Sequence, residues 1–376
     1  MLKIAIIGSG PAACFSAEIL SSKRPDLEIH IFERLAQPFG LVEYGVAPDH
    51  AITRQIKQSF TRTLAKPQIH LHTQCEIGVD RSFASLQSEF PWILIATGAL
   101  EDRALKIPGE HLPGVYGSAE LVTWYNQHPE QAALHPKLGK RLAIIGQGNV
   151  ALDLARVLCK TTDEMQEAIS QPSIRAERNA LQQALQEIWI LGRRGPVEAG
   201  FSLPELKELG ELDAALPTLR ASDLENIDLS LLPHSKQQVL QQLKLYSQNL
   251  AEPGRCLIRF MFQVSPLALH ADAQGHLASM TLMRNHLKEG RAIPSGETLE
   301  LPIHSLVKAI GYQSRPLDDL PFDQEKGHFI HEEGEIAPGI FCVGWCKRGS
   351  QGVIPVNRSD AMAVARKLLS QLPPAS

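Results

Sequence analysis

The chain has 376 residues, enough for two ordinary domains with a core each. Its 44% apolar and 21% charged content is that of a globular protein, and a net charge of −4 argues against general nucleic-acid binding while leaving room for a local basic patch. No apolar run is long enough to span a bilayer. An apolar strand starting at Leu2 leaves no room for a targeting peptide, and the six scattered cysteines without a CxxC pair fit a reducing cytoplasm.

The first predicted strand, Ile4-Ala5-Ile6-Ile7, runs into Gly8-Ser9-Gly10-Pro11-Ala12-Ala13. A helix follows with Ala13, Ala17 and Leu20 on one face, then an alternating strand through Ile29, Ile31 and Phe32 that ends at Glu33. Strand, glycine turn, helix, strand and acid come in the order a dinucleotide site needs. Gly8 allows the sharp turn, Gly10 lets a pyrophosphate approach the backbone, and the small Ala13 lets helix and strand pack closely. Pro11 suits the first helical turn, whose free N–H groups favour phosphate. Glu33 is placed to accept from a ribose diol.

Pro38 to His50 is broken by glycine and proline and reads as an ordered loop shaping a cofactor pocket. A polar helix is expected over Ile52 to Leu64. His70 and His72 share a face of a short alternating segment; without a third ligand nearby in sequence, exposed strand histidines are the simpler reading than a metal pair. Pro91-Trp92-Ile93-Leu94-Ile95-Ala96-Thr97-Gly98 reads as a buried strand ending in a small-residue turn, and Ile107-Pro108-Gly109-Glu110 reads as a domain crossing.

The second half repeats the opening device. Leu142-Ala143-Ile144-Ile145 leads into Gly146-Gln147-Gly148-Asn149-Val150-Ala151, with Val150, Leu154, Val157 and Leu158 on one helical face. After a Gln/Glu-rich helical insertion, the strand Ile188-Trp189-Ile190-Leu191 ends at Gly192-Arg193-Arg194-Gly195. An acid here would suit the free 2′-hydroxyl of NAD, whereas two arginines suit the 2′-phosphate of NADP. Two fingerprints imply two dinucleotides, and FAD at the first with NADPH at the second is the economical assignment.

Ser202 to Leu212 reads as helical, with Glu205 and Glu208 one turn apart; surface acids are the default for both. Asp223 to Glu252 holds an amphipathic helix burying Val239, Leu243 and Tyr246. Cys256 to Val264 and His276 to Met283 are expected to pair around Asp272-Ala273-Gln274-Gly275. Leu306 to Gly311 is a further buried strand, and Ile340 to Trp345 returns to the first sheet. Cys342 and Cys346 read more simply as packing residues than as a redox pair. The last helix starts near Gly352-Val353-Ile354, buries Ala361, Val364 and Leu368, and could turn its N-terminus toward a flavin pyrimidine ring.

Taken together, these motifs resemble the adrenodoxin-reductase-type ferredoxin–NADP+ reductases over nearly the whole length. The most specific parts are Pro38-Phe39-Gly40-Leu41-Val42 with Gly45-Val46-Ala47-Pro48-Asp49-His50, the second fingerprint through Leu152-Asp153, and Gly192-Arg193-Arg194-Gly195-Pro196. Val343-Gly344-Trp345, Lys347-Arg348-Gly349 and Gly352-Val353-Ile354 add a C-terminal signature. The resemblance implies two Rossmann-like α/β domains, an NADP domain (105–320) inserted into a discontinuous FAD domain (1–104 and 321–376). It implies FAD contacts at Ala12, Glu33, Leu41, Cys75, Trp345, Gly352, Val353 and Ile354. NADP contacts would come from Gln147, Gly148, Asn149, Val150, Arg193, Arg194, Glu205 and Gly352. His50 and Glu208 match a charged pair beside flavin and nicotinamide.

Three places depart from the family pattern: Glu43 for a usual arginine, Ser350-Gln351 for Pro-Thr, and Glu198-Ala199-Gly200 before Phe201. The implied activity is hydride transfer from NADPH to FAD N5, then single-electron transfer to a ferredoxin-type iron–sulfur protein, without metal or side-chain nucleophile. The implied protein is a cytoplasmic monomer that meets its partner transiently, with Arg255, Arg259 and Arg284 as candidates for a basic docking face. Alternatives are a flavoprotein serving another acceptor, such as a quinone or an enzyme partner, and a redox-silent nucleotide-sensing module.

Overall fold

The computed structural model describes residues 2–165, 168–225 and 227–374. The chain forms two compact units: Met1–Val46, His50–Glu101 and Gly311–Ser376 make the first, and Ala47–Asp49 with Asp102–Ile310 make the second.

In the first unit a six-stranded sheet runs in the order Glu335–Ala337, Ile340–Cys342, Trp92–Ile95, Leu2–Ile7, Leu27–Phe32, Ile69–His72. Only the Glu335–Ala337 edge is antiparallel. The central strands read as unbroken apolar runs because both faces of a parallel sheet are covered. Ile4 and Ile6 enter the core beneath the Pro11–Lys23 and Ile354–Gln371 helices, while Ala5 and Ile7 enter the opposite core with Phe32 and Phe90. The expected helical faces are buried: Ala13, Ala17 and Leu20 on the first helix, Ala361, Val364 and Leu368 on the last. The return of Ile340–Cys342 to this sheet is as expected.

Two local readings change. Leu41–Tyr44 is a single helical turn within the expected loop. The Ile52 to Leu64 helix is divided into Ala51–Arg54 and Ile56–Leu64, and at the join Gln55 N–H donates to Ile52 O, a tighter three-residue step.

The second unit holds a fully parallel six-stranded sheet in the order Val115–Gly117, Ser305–Lys308, Arg141–Ile145, Glu187–Leu191, Cys256–Met261, Ala215–Thr218. The Asn149–Cys159 and His234–Tyr246 helices bury Leu154, Val157, Leu158, Val239, Leu243 and Tyr246 in its core. A separate antiparallel sheet is built from Val264–Ala271, Leu277–Lys288 and Arg291–Pro302. This corrects the expected hairpin. Cys256–Met261 belongs to the parallel sheet, and Val264–Ala271 is what pairs around the Asp272 to Gly275 turn. Both segments are short apolar runs, which periodicity alone cannot assign to one sheet or the other.

Candidate functional site: two glycine turns

At the first turn Gly8 has φ +96°, and a Cβ there would lie 2.6 Å from Ala96 O. Strand and turn are that closely packed, so only glycine fits. Gly10 differs: its φ is −69°, and a Cβ there would meet nothing within 4 Å. The space beside Gly10 is open at the N-terminus of the 13-residue Pro11–Lys23 helix, where the free N–H groups and the helix dipole favour an anion.

Glu33 is buried at the end of its strand, and its carboxylate braces this turn. Oε2 accepts from Ser9 N–H at 3.0 Å and from the Ser9 hydroxyl at 2.5 Å, while Oε1 accepts from Leu35 N–H at 2.9 Å. Ser9 was missed in the sequence; it occupies a variable position of the fingerprint, and only the folded turn brings it to the acid. Cys75, half-buried, donates its backbone N–H to Glu33 O at 3.0 Å. Ala12 is buried and Leu41 half-buried.

In the same unit Trp345 donates its indole N–H to Gln351 O and Gly352 O, at 3.1 and 3.3 Å, and its ring lies 6.0 Å from that of Tyr312. These bonds tie Trp345 to the residues that lead into the Ile354–Gln371 helix. Gly352 and Val353 are exposed, and Ile354 is half-buried.

The second turn repeats the first. Gly146 has φ +133°, and a Cβ there would collide with Ala309 O, whereas one on Gly148 would meet nothing within 4 Å. Gln147 Nε2 donates to Met261 O at 3.3 Å, and Gln147 O accepts from Gly200 N–H at 2.7 Å. Asn149 Oδ1 accepts from Ser202 N–H at 2.8 Å, and the Ser202 hydroxyl donates to Glu205 Oε2 at 2.6 Å. Glu205 is therefore linked to the turn through Ser202. The Ser-x-x-Glu spacing before a helix signals a capping box, but here the hydroxyl donates to the glutamate. Val150 is half-buried against the core.

Arg193 and Arg194 follow the Glu187–Leu191 strand and are exposed. Among the described residues neither guanidinium has a carboxylate partner. By contrast, Arg255 pairs with Glu252 and donates to Leu212 O, and Arg259 pairs with Glu187 and lies over the Trp189 ring. Two of the three arginines expected for a docking face are thus engaged within their own unit.

Glu208 sits on the Leu203–Gly210 helix of the second unit, and its Oε2 lies 3.0 Å from Arg156 Nε. Arg156 is buried and also pairs with Asp153 at 2.6 Å and with Asp49. Burial opposes the charge on this guanidinium, but Asp49, Asp153 and Glu208 outweigh it and raise its pKa. Arg156 was missed as well: Asp49 lies far upstream in sequence, and no local pattern joins them. His50 belongs to the first unit, where it precedes the Ala51–Arg54 helix.

Each departure from the family pattern has a local job. Glu43 pairs with Lys57 at 2.7 Å. The Ser350 hydroxyl accepts from Tyr312 N–H and donates to Tyr312 O. Glu198 Oε2 accepts from Gly195 N–H at 3.1 Å, closing the arginine turn. All six cysteines are free, and Cys342 and Cys346 are fully buried, as packing residues would be.

Two sheets, one parallel and one parallel but for an edge strand, each with a tight glycine followed by an open one at a helix N-terminus, define the chain as a two-dinucleotide α/β protein. The model of the pyridine nucleotide-disulphide oxidoreductase family matches residues 2–190. The mitochondrial NADPH:adrenodoxin oxidoreductase of Bos taurus is 33% identical over 98% of this chain and 79% of its own length. The NADPH-ferredoxin reductase FprA of Mycobacterium tuberculosis is 34% identical over 98% of this chain and 84% of its own. The structure of that FprA in complex with NADPH matches with a TM-score of 0.91 at 33% identity, covering 98% of this chain and 84% of that one. Lactococcus lactis thioredoxin reductase, at 16% identity and a TM-score of 0.56, shares the fold. The chain belongs to the adrenodoxin-reductase-type ferredoxin–NADP+ reductases, a family of FAD-dependent oxidoreductases.

Proposed function

We propose that this chain oxidises NADPH through FAD and delivers the electrons to a ferredoxin-type iron–sulfur protein. One contrast carries the reading: both turns are open at their second glycine, but the first is closed by a buried acid and the second by two exposed arginines that have no carboxylate partner among the described residues. That is the donor set for FAD at one turn and NADPH at the other. In this reading 1–104 and 321–376 hold FAD, and 105–320 holds NADP.

Gly8 and Gly10 shape the flavin pyrophosphate cradle, and Glu33 takes the ribose. Ala12, Leu41, Cys75, Trp345, Gly352, Val353 and Ile354 line the remainder. Gln147, Gly148, Asn149 and Val150 receive the NADP pyrophosphate, Arg193 and Arg194 grip the 2′-phosphate, and Glu205 positions the turn through Ser202. When bound, FAD supplies the conversion of a hydride into single electrons. The protein orients the nicotinamide and sets the local field, with His50 and Glu208 tuning that field rather than relaying an obligatory proton.

The iron–sulfur partner docks transiently through charge, as acidic carriers require, and the reductase works as a cytoplasmic monomer. No described helix is long and apolar enough to cross a membrane.

Anaerobic addition of NADPH to the purified protein tests the first half-reaction. Bleaching of the flavin band is expected, and an unbleached flavin would leave a nucleotide-sensing module. Steady-state turnover tests the second: ferredoxin should be reduced with higher kcat/KM than quinones, and the reverse order would transfer the assignment to another acceptor.

A further inference from the structure

The sheet of the first unit carries a histidine cluster unrelated to either glycine turn. Glu28 and His30 are two residues apart on the Leu27–Phe32 strand, so their side chains share a face. The neighbouring strand runs parallel and sets His70 directly opposite His30. His30 Nε2 lies 2.8 Å and His70 Nε2 3.9 Å from Glu28 Oε1. The three candidate ligand atoms lie within 4.8 Å of one another. This register brings Glu28 and His30 to His70, ligands that the spacing of His70 and His72 within their own segment could not supply.

We propose that Glu28, His30 and His70 bind a divalent transition-metal ion, with zinc as the best match. Two imidazoles and one carboxylate are a common zinc donor set, with water in the fourth position of the tetrahedron. The face is open enough for that water, because the His70 side chain is 44% exposed while those of Glu28 and His30 are 20% and 13% exposed.

A supporting layer is also in place. His30 Nδ1 lies 2.9 Å from His72 Nε2, so a His30 that gives Nε2 to the metal donates its other N–H to His72. His72 is itself held by stacking on Phe32, with ring centroids 4.8 Å apart. Phe90 meets the His30 ring edge-on at 5.0 Å. Lys3 Nζ, 3.8 Å from Glu28, is the one nearby cation among the described residues that competes for the carboxylate. Ile69–His72 is the edge strand of its sheet, bonded on one side only, and the ion clips it to its neighbour.

The test is zinc titration of the chelator-stripped holoprotein by calorimetry, in a non-coordinating buffer at neutral pH. Saturable uptake of one ion per chain is expected, together with a zinc-dependent rise in melting temperature. His30→Ala, His70→Ala and Glu28→Gln should each weaken zinc affinity by about tenfold or more, while NADPH-driven dye reduction is kept. His276→Ala, far along the sequence in the other unit, should bind as the parent does. His30→Asn replaces the alanine variant if that one does not fold. No saturable uptake by the parent at submillimolar zinc, or unchanged affinity in the His30 and His70 variants, would overturn the site. A hydrogen-bonded histidine ladder alone predicts those latter results.

Discussion

The Ser9 hydroxyl donates a 2.5 Å hydrogen bond to Glu33 Oε2. The acid at the end of the second strand therefore fixes the glycine turn after the first. Glu33→Gln would place an amide against the two Ser9 donors and leave a buried mismatch. Flavin affinity should fall by about 10- to 100-fold, from roughly 1–3 kcal/mol of lost charge-assisted bonding. FAD titration of the apoprotein measures this, and an unaltered dissociation constant would detach Glu33 from the cofactor.

The two glycines of the first turn should fail in different ways. Gly8→Ala forces a Cβ against Ala96 O at a positive φ and should cost the fold about 2–4 kcal/mol. Gly10→Ala meets no protein atom, so the apoprotein should melt where its parent does and yet no longer take up FAD. Paired melts with and without FAD separate the outcomes, and a Gly10→Ala protein that binds FAD normally would remove the pyrophosphate from this turn.

Arg193 and Arg194 are free to meet a phosphate because neither is held by a carboxylate among the described residues. Replacing both with alanine should raise KM for NADPH by about 10- to 1,000-fold, at roughly 1.5–3 kcal/mol per lost charged bond with imperfect additivity. KM for NADH should hardly move. Equal losses with the two coenzymes would withdraw the basis for an NADP site.

Glu110 gives the second unit an acid-sensitive point. Its oxygens accept from Leu105 N–H and Lys106 N–H, each at 2.7 Å, and from Lys308 Nζ at 3.0 Å. Burial pushes the carboxyl pKa up, but these donors outweigh burial and hold it below the ordinary glutamate value. The depressed pKa stabilises the unit above about pH 4.3, and that contribution is lost as pH falls through the folded-state value. Glu110→Gln should be less stable near pH 7 and show a flatter decline below pH ~4.3, so that denaturant-unfolding curves of the two proteins converge in acid. Parallel stabilities down to acid pH would contradict this.

What could be read in advance followed from local pattern. Parallel strands covered on both faces appear as continuous apolar runs, so Leu2–Ile7, Trp92–Ile95, Arg141–Ile145 and Ser305–Lys308 stand out with their glycine turns. Arg291–Pro302 did not stand out. It is an exposed strand interrupted by Pro294 and Gly296, which carry turn signals rather than strand signals. The Asp49–Arg156 pair and the opposition of His30 to His70 depend on strand register and long-range packing, which no spacing within one segment encodes. Glu33 and Glu205 stand out in the sequence as acids beside the fingerprints, but their links to serine hydroxyls required the folded turns.

The first sheet is completed by the end of the chain. Trp92–Ile95 gains its second neighbour only from Ile340–Cys342, and the Pro11–Lys23 helix packs on Ile354–Gln371. During synthesis the intervening unit leaves the ribosome whole and can fold first, while the opening βαβ segment waits with an apolar strand edge unpaired. The aggregation-prone surface is thus concentrated in the segment translated earliest, and premature termination before Ile340 should yield aggregates rather than a shortened enzyme.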